Sequence, residues 1–264
     1  MRVISVANQK GGCAKTTTAV NLAASLAETK KRVLLIDLDP QANASQWLGA
    51  SNPAKTSFSI FSSKIPIQDL IQPTQVTDIN IISGHQDLAS VEKVVANELG
   101  VDFLLKRRLR DLNPKDWDFI IIDTPPTLGL LTVNALTSSG ELLIPVTTHI
   151  MTLTGVAQLI NKYNEIKEVL NPDLEILGFL PSRVDTRTKH SKEILQSLID
   201  RFGNKVLKSV IRENIRLAEA PSFNENILIY DGQSGAAKDY RELAQEVIQL
   251  GKSYAKIKKI DHSE

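Results

Sequence analysis

Two lysines five residues apart, Lys10 and Lys15, enclose two glycines in the string QKGGCAKTTT, residues 9–18. Before the string lies the apolar run VISVA, and after it the helix-like TAVNLAASLA. Strand, glycine loop and helix start, in that order, build a cradle for phosphate. Gly11 and Gly12 put no side chain between their backbone N–H groups and an anion, and the helix N-terminus adds partial positive charge. Lys15 supplies a formal charge for the β- and γ-phosphates, and the Thr16 hydroxyl is a hard oxygen ligand for Mg²⁺. Cys13, Ala14 and Thr17 complete the loop. These residue types at this spacing point to a bound nucleoside triphosphate.

Two further segments carry carboxylates. In Asp37-Leu38-Asp39-Pro40-Gln41 the two acids stand two residues apart after an apolar run. At the mouth of a parallel strand they point to one side, toward the edge where such sheets bind ligands. Asp-Pro by itself also makes a strand-end turn. In Phe119-Ile120-Ile121-Ile122-Asp123 an apolar strand ends in an acid, the position from which an aspartate holds Mg²⁺.

These residues need a sheet and flanking helices to position them. Short apolar runs predict strands at 3–7, 33–38, 79–82, 119–122, 142–145, 176–180 and 206–211. Several lack polar alternation, as strands buried on both faces do. Helical patterns fall between them at 16–29, 87–112, 128–137, 152–170 and 191–202, with a last one at 236–257. The alternation predicts an α/β fold, a doubly wound, mostly parallel sheet with helices on both faces, in a single domain over 1–264. The segment 49–73 is the least regular and is expected to be mobile; its role is not readable.

Bulk properties narrow the function. Hydrophobic content of 42% and charged content of 23% are those of a soluble globular chain. A net charge of +1 excludes polyanion binding by bulk charge, so any nucleic-acid surface must be local. A single cysteine, Cys13, excludes a disulfide framework and a cysteine-ligated cluster within one chain. No apolar run approaches ~18 residues, which predicts a cytosolic chain.

The loop departs from the common G-x-x-x-x-G-K-[ST] pattern, with Gln9 and Ala14 at its glycine positions. It carries instead the two-lysine form K-G-G-x-x-K-[ST], and in this it resembles the ParA/MinD family of dimerising ATPases. Asp123-Thr124-Pro125-Pro126 is similar to that family's D-x-P-P segment. The string from Asn214 to Ser222, NIRLAEAPS, and LIYDGQSGAAKDY at 228–240 resemble chromosomal ParA proteins of the Soj type, in a short form without an N-terminal helix-turn-helix. The resemblance covers residues 1–248. It implies a P-loop-type fold, ATP and Mg²⁺ as cofactors, and slow ATP hydrolysis by a homodimer. Lys10 would reach across the dimer to the partner's nucleotide, and Asp39 would orient or deprotonate the attacking water. Thr16, Asp37 and Asp123 would lie at the metal, and residues 10–17, Asp39 and Asn214 at the nucleotide. A ParB-like protein or an adaptor would stimulate hydrolysis, with a plasmid, a chromosome region or a protein assembly such as a carboxysome as cargo.

Three departures from the family pattern stand out. Ala14 replaces a common glycine, which predicts φ < 0 there. Leu180-Pro181-Ser182-Arg183-Val184-Asp185 replaces a more apolar L-T-M-x-D, and Arg212-Glu213 replaces Pro-Arg.

Residues 183–216 hold nine basic and four acidic side chains, a local excess in a near-neutral chain. Such a stretch is either a solvated helix face or a patch that binds DNA by neutralising phosphates without reading sequence. The resemblance favours double-stranded DNA, with Arg183, Arg187, Lys208, Arg212 and Arg216 as contacts and the nucleoid as location. The run Lys106-Arg107-Arg108-Leu109-Arg110 reads instead as the wet side of a structural helix. At the C-terminus, Val247, Ile248, Leu250, Tyr254, Ile257 and Ile260 alternate with Lys252, Lys256, Lys258 and Lys259. MinD-type relatives dock on membranes through such a helix. Here the stripe lacks bulky aromatics and ends in Asp261-His262-Ser263-Glu264, so a membrane role is the alternative to DNA.

Overall fold

The computed structural model describes residues 1–50, 52–148 and 152–261, with side chains outside 152–154 and 252–261. Eight strands form one sheet: β1 (Arg2–Val6), β2 (Val33–Asp37), β3 (Gln72–Pro73), β4 (Ile79–Ile82), β5 (Phe119–Asp123), β6 (Glu141–Thr147), β7 (Glu175–Val184) and β8 (Ile211–Arg212). Their order is β3-β4-β2-β5-β1-β6-β7-β8. All neighbours are parallel except β3 and β4. Chain order reverses between β5 and β6, on either side of β1, which is where a doubly wound sheet opens a crevice for ligands.

The apolar runs show why the sheet is covered twice. Val33 and Leu35 join one core cluster with Ala19, Leu22, Leu26, Tyr240, Leu243 and Val247. Leu34 and Ile36 join another with Ile60, Phe61, Leu105 and Leu109. Phe119 and Ile121 divide from Ile120 and Ile122 in the same way, the period of two of a strand buried on both sides. On the first face lie α1 (Lys15–Glu28) and the C-terminal helix Gly235–Asp261.

Several expectations are corrected. The helix expected over 87–112 is broken into Gln86–Ser90, Val91–Val94, Val101–Phe103 and Leu104–Leu109. Val91–Val94 ends at Val95, turns follow over 95–100, and Gly100 with φ 67 leads into Val101–Phe103. The run at 206–211 makes one isolated bridge, Phe179 to Val206, before the two-residue β8. The segment 49–73 folds into short helices, Phe58–Ser62 and Ile67–Leu70, and an antiparallel edge strand. Its Ile60, Phe61, Ile67 and Leu70 are core residues.

Among the described residues no helix is long and apolar enough to cross a membrane. Val247 of the C-terminal stripe is buried, with Ile248 and Leu250 packed against the same cluster. Tyr254, Ile257, Ile260 and the lysines among them have side chains outside the described residues, as does the 262–264 end.

Candidate functional site

Residues 7–14 connect β1 to α1 at the C-terminal edge of the sheet. Asn8 is buried and ties the start of the loop to the sheet: its Nδ2 donates to the Pro145 carbonyl at 2.7 Å, and its Oδ1 accepts from the Lys10 amide at 3.3 Å. A Cβ on either Gly11 or Gly12 would meet nothing within 4 Å, so the loop encloses open space. Gly12 has φ 71, a conformation that favours glycine. Ala14 has φ 66 and ψ 30, against the expected negative φ. An L-residue there costs about 1–2 kcal/mol relative to the right-handed region, and the turn into α1 imposes it. No side chain caps α1, which leaves the first-turn N–H groups of Lys15, Thr16 and Thr17 without an intrahelical acceptor. Such donors suit phosphate oxygens.

Lys15 is almost fully buried, and its Nζ donates to the Lys10 carbonyl at 3.2 Å. Cys13 donates its thiol to the same carbonyl at 2.9 Å, and burial raises its pKa. It is a filler of the loop. The Lys10 ammonium has no hydrogen-bond or ion-pair partner among the described residues.

The carboxylates form a graded set. Asp37 and Asp123 stand opposite each other in register at the ends of β2 and β5, both fully buried. Asp37 Oδ1 accepts from the Asp39 amide at 3.0 Å; Oδ2 accepts from the Ser45 amide at 3.0 Å and the Ser45 hydroxyl at 2.7 Å. Ser45 belongs to the short helix α2 (Asn43–Trp47) and also receives the Gly84 amide at 2.8 Å. A Cβ at Gly84 would lie 2.9 Å from both Asp37 Cγ and the Asp39 carbonyl, so only glycine fits. Asp37 is thus beside the expected metal position, but its oxygens are engaged in holding the 39–45 turn. Burial pushes its pKa up to about 6 against those hydrogen bonds.

Asp123 is the opposite case. Neither of its oxygens has a hydrogen-bond partner among the described residues. Burial raises its pKa most, followed by the charge of Asp37; the Thr16 hydroxyl and Lys15 act the other way. Thr16 thus lies near enough to favour the charged form, without the alignment of a full hydrogen bond. A buried carboxylate with two free oxygens, facing a hydroxyl and a lysine, is a donor set that fits Mg²⁺. Asp39 is nearly buried, and its Oδ1 accepts from the Gln41 amide at 2.9 Å. Two cavities share it. One, of about 490 Å³, is lined by the loop, Gln41, Asn43, Pro126, Asn214, Leu217 and Tyr240; the other, of about 450 Å³, by Leu88, Val91, Glu92, Pro125 and Leu130.

Asn214 lines the loop cavity, and its Oδ1 accepts from the Arg216 amide at 2.9 Å. The five arginines and lysines expected on DNA are dispersed. Arg183 and Arg212 line the loop cavity, paired with Glu213 and Asp239. Lys208 lines a separate groove with Lys238, Arg241 and Glu246. Arg187 is strongly exposed and chelated by Asp185; Arg216 is half-exposed between Glu219 and Asp231. Sequence reading missed Asn8, Ser45 and Gly84, which act through tertiary contacts and carry no local motif; Asn43 and Tyr240 line the loop cavity.

Fold and site together define a P-loop α/β protein of the doubly wound type. Comparison with known proteins narrows the class. A family model described as "AAA domain" matches residues 1–176. The chain is 38% identical over 250 residues to the chromosome partitioning protein ParA of Myxococcus xanthus, covering 94% of this chain and 88% of that one. It is 40% identical over 252 residues to the sporulation initiation inhibitor protein Soj of Bacillus subtilis, covering 95% and 99%. Among solved structures, cobyrinic acid a,c-diamide synthase of Mycobacterium smegmatis, with bound ADP and magnesium, superposes with a TM-score of 0.84 at 34% identity over 96% of each chain. The chain belongs to the ParA/Soj family of partition ATPases.

Proposed function

We propose that this protein is a Mg²⁺-dependent ATPase that dimerises on ATP, binds double-stranded DNA without sequence preference, and is released when a partner protein stimulates slow hydrolysis. The observation that carries the reading is Asp123: a buried, hydrogen-bond-free carboxylate beside an open phosphate cradle. Thr16 and Asp123 would hold Mg²⁺, which neutralises developing charge on the phosphate oxygens. The N–H groups of residues 11–17 and the Lys15 ammonium receive the phosphates. Asp39, with one oxygen fixed by the Gln41 amide, turns the other toward the attacking water and accepts its proton. Asp37 positions Asp39 through the amide it accepts. The unpartnered Lys10 ammonium is free to reach a second subunit's phosphates. Coupling follows if ATP binds the dimer more tightly than the monomer.

Cargo positioning follows from this cycle, with a plasmid or chromosome region carried by a ParB-like protein, or a protein assembly carried by an adaptor. Arg187 and Arg216, exposed at the surface, are the DNA contacts. The test is a salt titration of binding to two unrelated duplexes with ATP and with ADP, alongside cosedimentation with anionic liposomes. ATP-dependent binding that falls steeply with salt and ignores sequence supports the reading. Equal binding with ADP, or binding to liposomes alone, overturns it.

A further inference from the structure

Lys10 is held by its main chain and not by its side chain. The ladder between β1 and β6 runs as far as the Ala7 amide, which donates to the Leu143 carbonyl at 3.1 Å. In a parallel pair the next acceptor on β6 lies two residues on, at Pro145, and would take the amide of residue 9. Asn8 Nδ2 takes it instead, at 2.7 Å. The main chain thereby leaves the sheet while a side chain keeps it tied there. The other end of the same carboxamide, Oδ1, accepts from the Lys10 amide at 3.3 Å, the local turn that asparagine makes with the residue two places on.

Asn8 is 1% exposed, and both ends of its carboxamide are engaged. On the far side the Lys10 carbonyl accepts from the Cys13 thiol at 2.9 Å and the Lys15 ammonium at 3.2 Å. The helix Thr152–Val169 closes on the same point at Gly155, where an added Cβ would lie 3.5 Å from Asn8 Oδ1 and 3.7 Å from Lys10 Cβ. The Lys10 backbone is thus fixed from three directions, while its ammonium has no partner among the described residues. The two ends of the loop divide the work. Lys15, Thr16 and Thr17 are set by α1, and Lys10 is set from β1.

We propose that Asn8 is the positioning residue for Lys10: it fixes the point on the sheet from which the Lys10 ammonium reaches the nucleotide of a second subunit. The proposal rests on the reading of Lys10 given above. Once a triphosphate draws the Lys15 ammonium to itself, the Lys10 carbonyl keeps only the Cys13 thiol, a weak donor. The Asn8 carboxamide then carries the larger share of the restraint on that peptide. A lysine stem is flexible, so its reach is only as well defined as its root. A displacement of about 1 Å can cost about 100-fold in rate. The site needs a donor and an acceptor on one short side chain: aspartate lacks the donor for Pro145, and leucine lacks both.

The experiment mixes variants of the full chain with Mg²⁺ and ATP. Asn8→Ala alone should bind a fluorescent ATP analogue within about threefold of wild type and lose turnover by roughly ten- to hundredfold. Asn8→Ser, whose hydroxyl still accepts from the Lys10 amide, carries the same comparison if Asn8→Ala does not fold. Asp39→Ala keeps Lys10 and its anchor but cannot orient the attacking water. In a mixed dimer it lends a well-placed Lys10 to the Asn8→Ala subunit, whose own Asp39 is intact. Mixing the two should therefore raise phosphate release roughly three- to twentyfold over either chain alone. Lys10→Ala mixed with Asp39→Ala is the control and should recover in the same way. Recovery in the control without recovery for Asn8→Ala would place the action of Asn8 within its own site and overturn the proposal. So would full turnover in Asn8→Ala, or a loss of ATP binding as large as its loss of turnover. A control that does not recover means instead that the reading of Lys10 fails.

Discussion

Asp123→Asn should stabilise the protein without nucleotide while disabling it. Asp37 and Asp123 stand in register on adjacent parallel strands, both fully buried. At a strand spacing of about 4.8 Å and an effective dielectric of about 20, two charges there repel by roughly 3 kcal/mol. Burial raises both acids, Asp37 from 3.8 to about 6 and Asp123 well above 3.8. A native pKa above the unfolded one means that the folded state holds the proton more tightly. These groups therefore cost nothing below the ordinary carboxylate range, and stability is lost as pH rises from about 4 through the raised values. Asparagine at 123 removes the repulsion and has no hydrogen bond to lose, because the aspartate makes none. The expected gain near pH 7.5 is about 2–4 kcal/mol, or roughly 5–12 °C in Tm for a chain of this size. It should shrink toward pH 4.5. Circular-dichroism melts in chelator across this range measure it. With Mg²⁺ and ATP the order should reverse, since the wild type would hold the cation at Asp123 and the variant would not. A variant no more stable than wild type at neutral pH, or a gap that ignores pH, would refute the electrostatic account.

Lys15→Ala should abolish measurable binding of a fluorescent ATP analogue, whereas Lys10→Ala should retain it and lose ATP-dependent dimerisation and hydrolysis, as seen by light scattering and phosphate release. Asp39→Ala should bind ATP and dimerise but stall; turnover equal to wild type would show that the water is oriented elsewhere. Arg187→Glu and Arg216→Glu should each remove DNA binding while leaving ATP-driven dimerisation intact, measured by mobility shift and sedimentation. Ala14→Gly should relieve the left-handed alanine and raise stability by a net of about 0.5–1 kcal/mol, after subtracting glycine's greater freedom when unfolded. A fall in Tm for that variant would mean that the methyl group packs to greater benefit than its backbone strain costs.

Much of the site was legible in the linear sequence because its parts are local. The cradle is built by neighbours along the chain: Gly11, Gly12, Lys15 and Thr16 belong to one turn between a strand and a helix. Asp37 and Asp123 could be placed because each ends an apolar run, with Asp39 two residues after the first, and a run of that kind becomes a parallel strand whose end faces the crevice. The lack of polar alternation in the run 33–36 implied a strand covered on both faces, and the fold sends Val33 and Leu35 to one core and Leu34 and Ile36 to the other.

What the sequence could not show depends on partners far away in the chain. Ala14 has a positive φ because the strand and helix it joins dictate the turn, overriding the residue's own preference. The pattern at 87–112 reads as one helix, and only the fold decides that the chain leaves the helix at Val95 and turns over 95–100 before Val101–Phe103. The tasks of the acids were also decided in three dimensions. Asp37 and Asp39 look alike in the string D-L-D, yet Ser45 claims the first and leaves the second one oxygen free. The basic stretch 183–216 reads as one patch, but the fold gives Arg183 to Glu213 and Arg212 to Asp239 and turns both to the cavity. Periodicity and turn chemistry act over a few residues and can be read in order. Hydrogen-bond satisfaction and charge pairing act over a few ångströms, and folding alone decides which residues come that close.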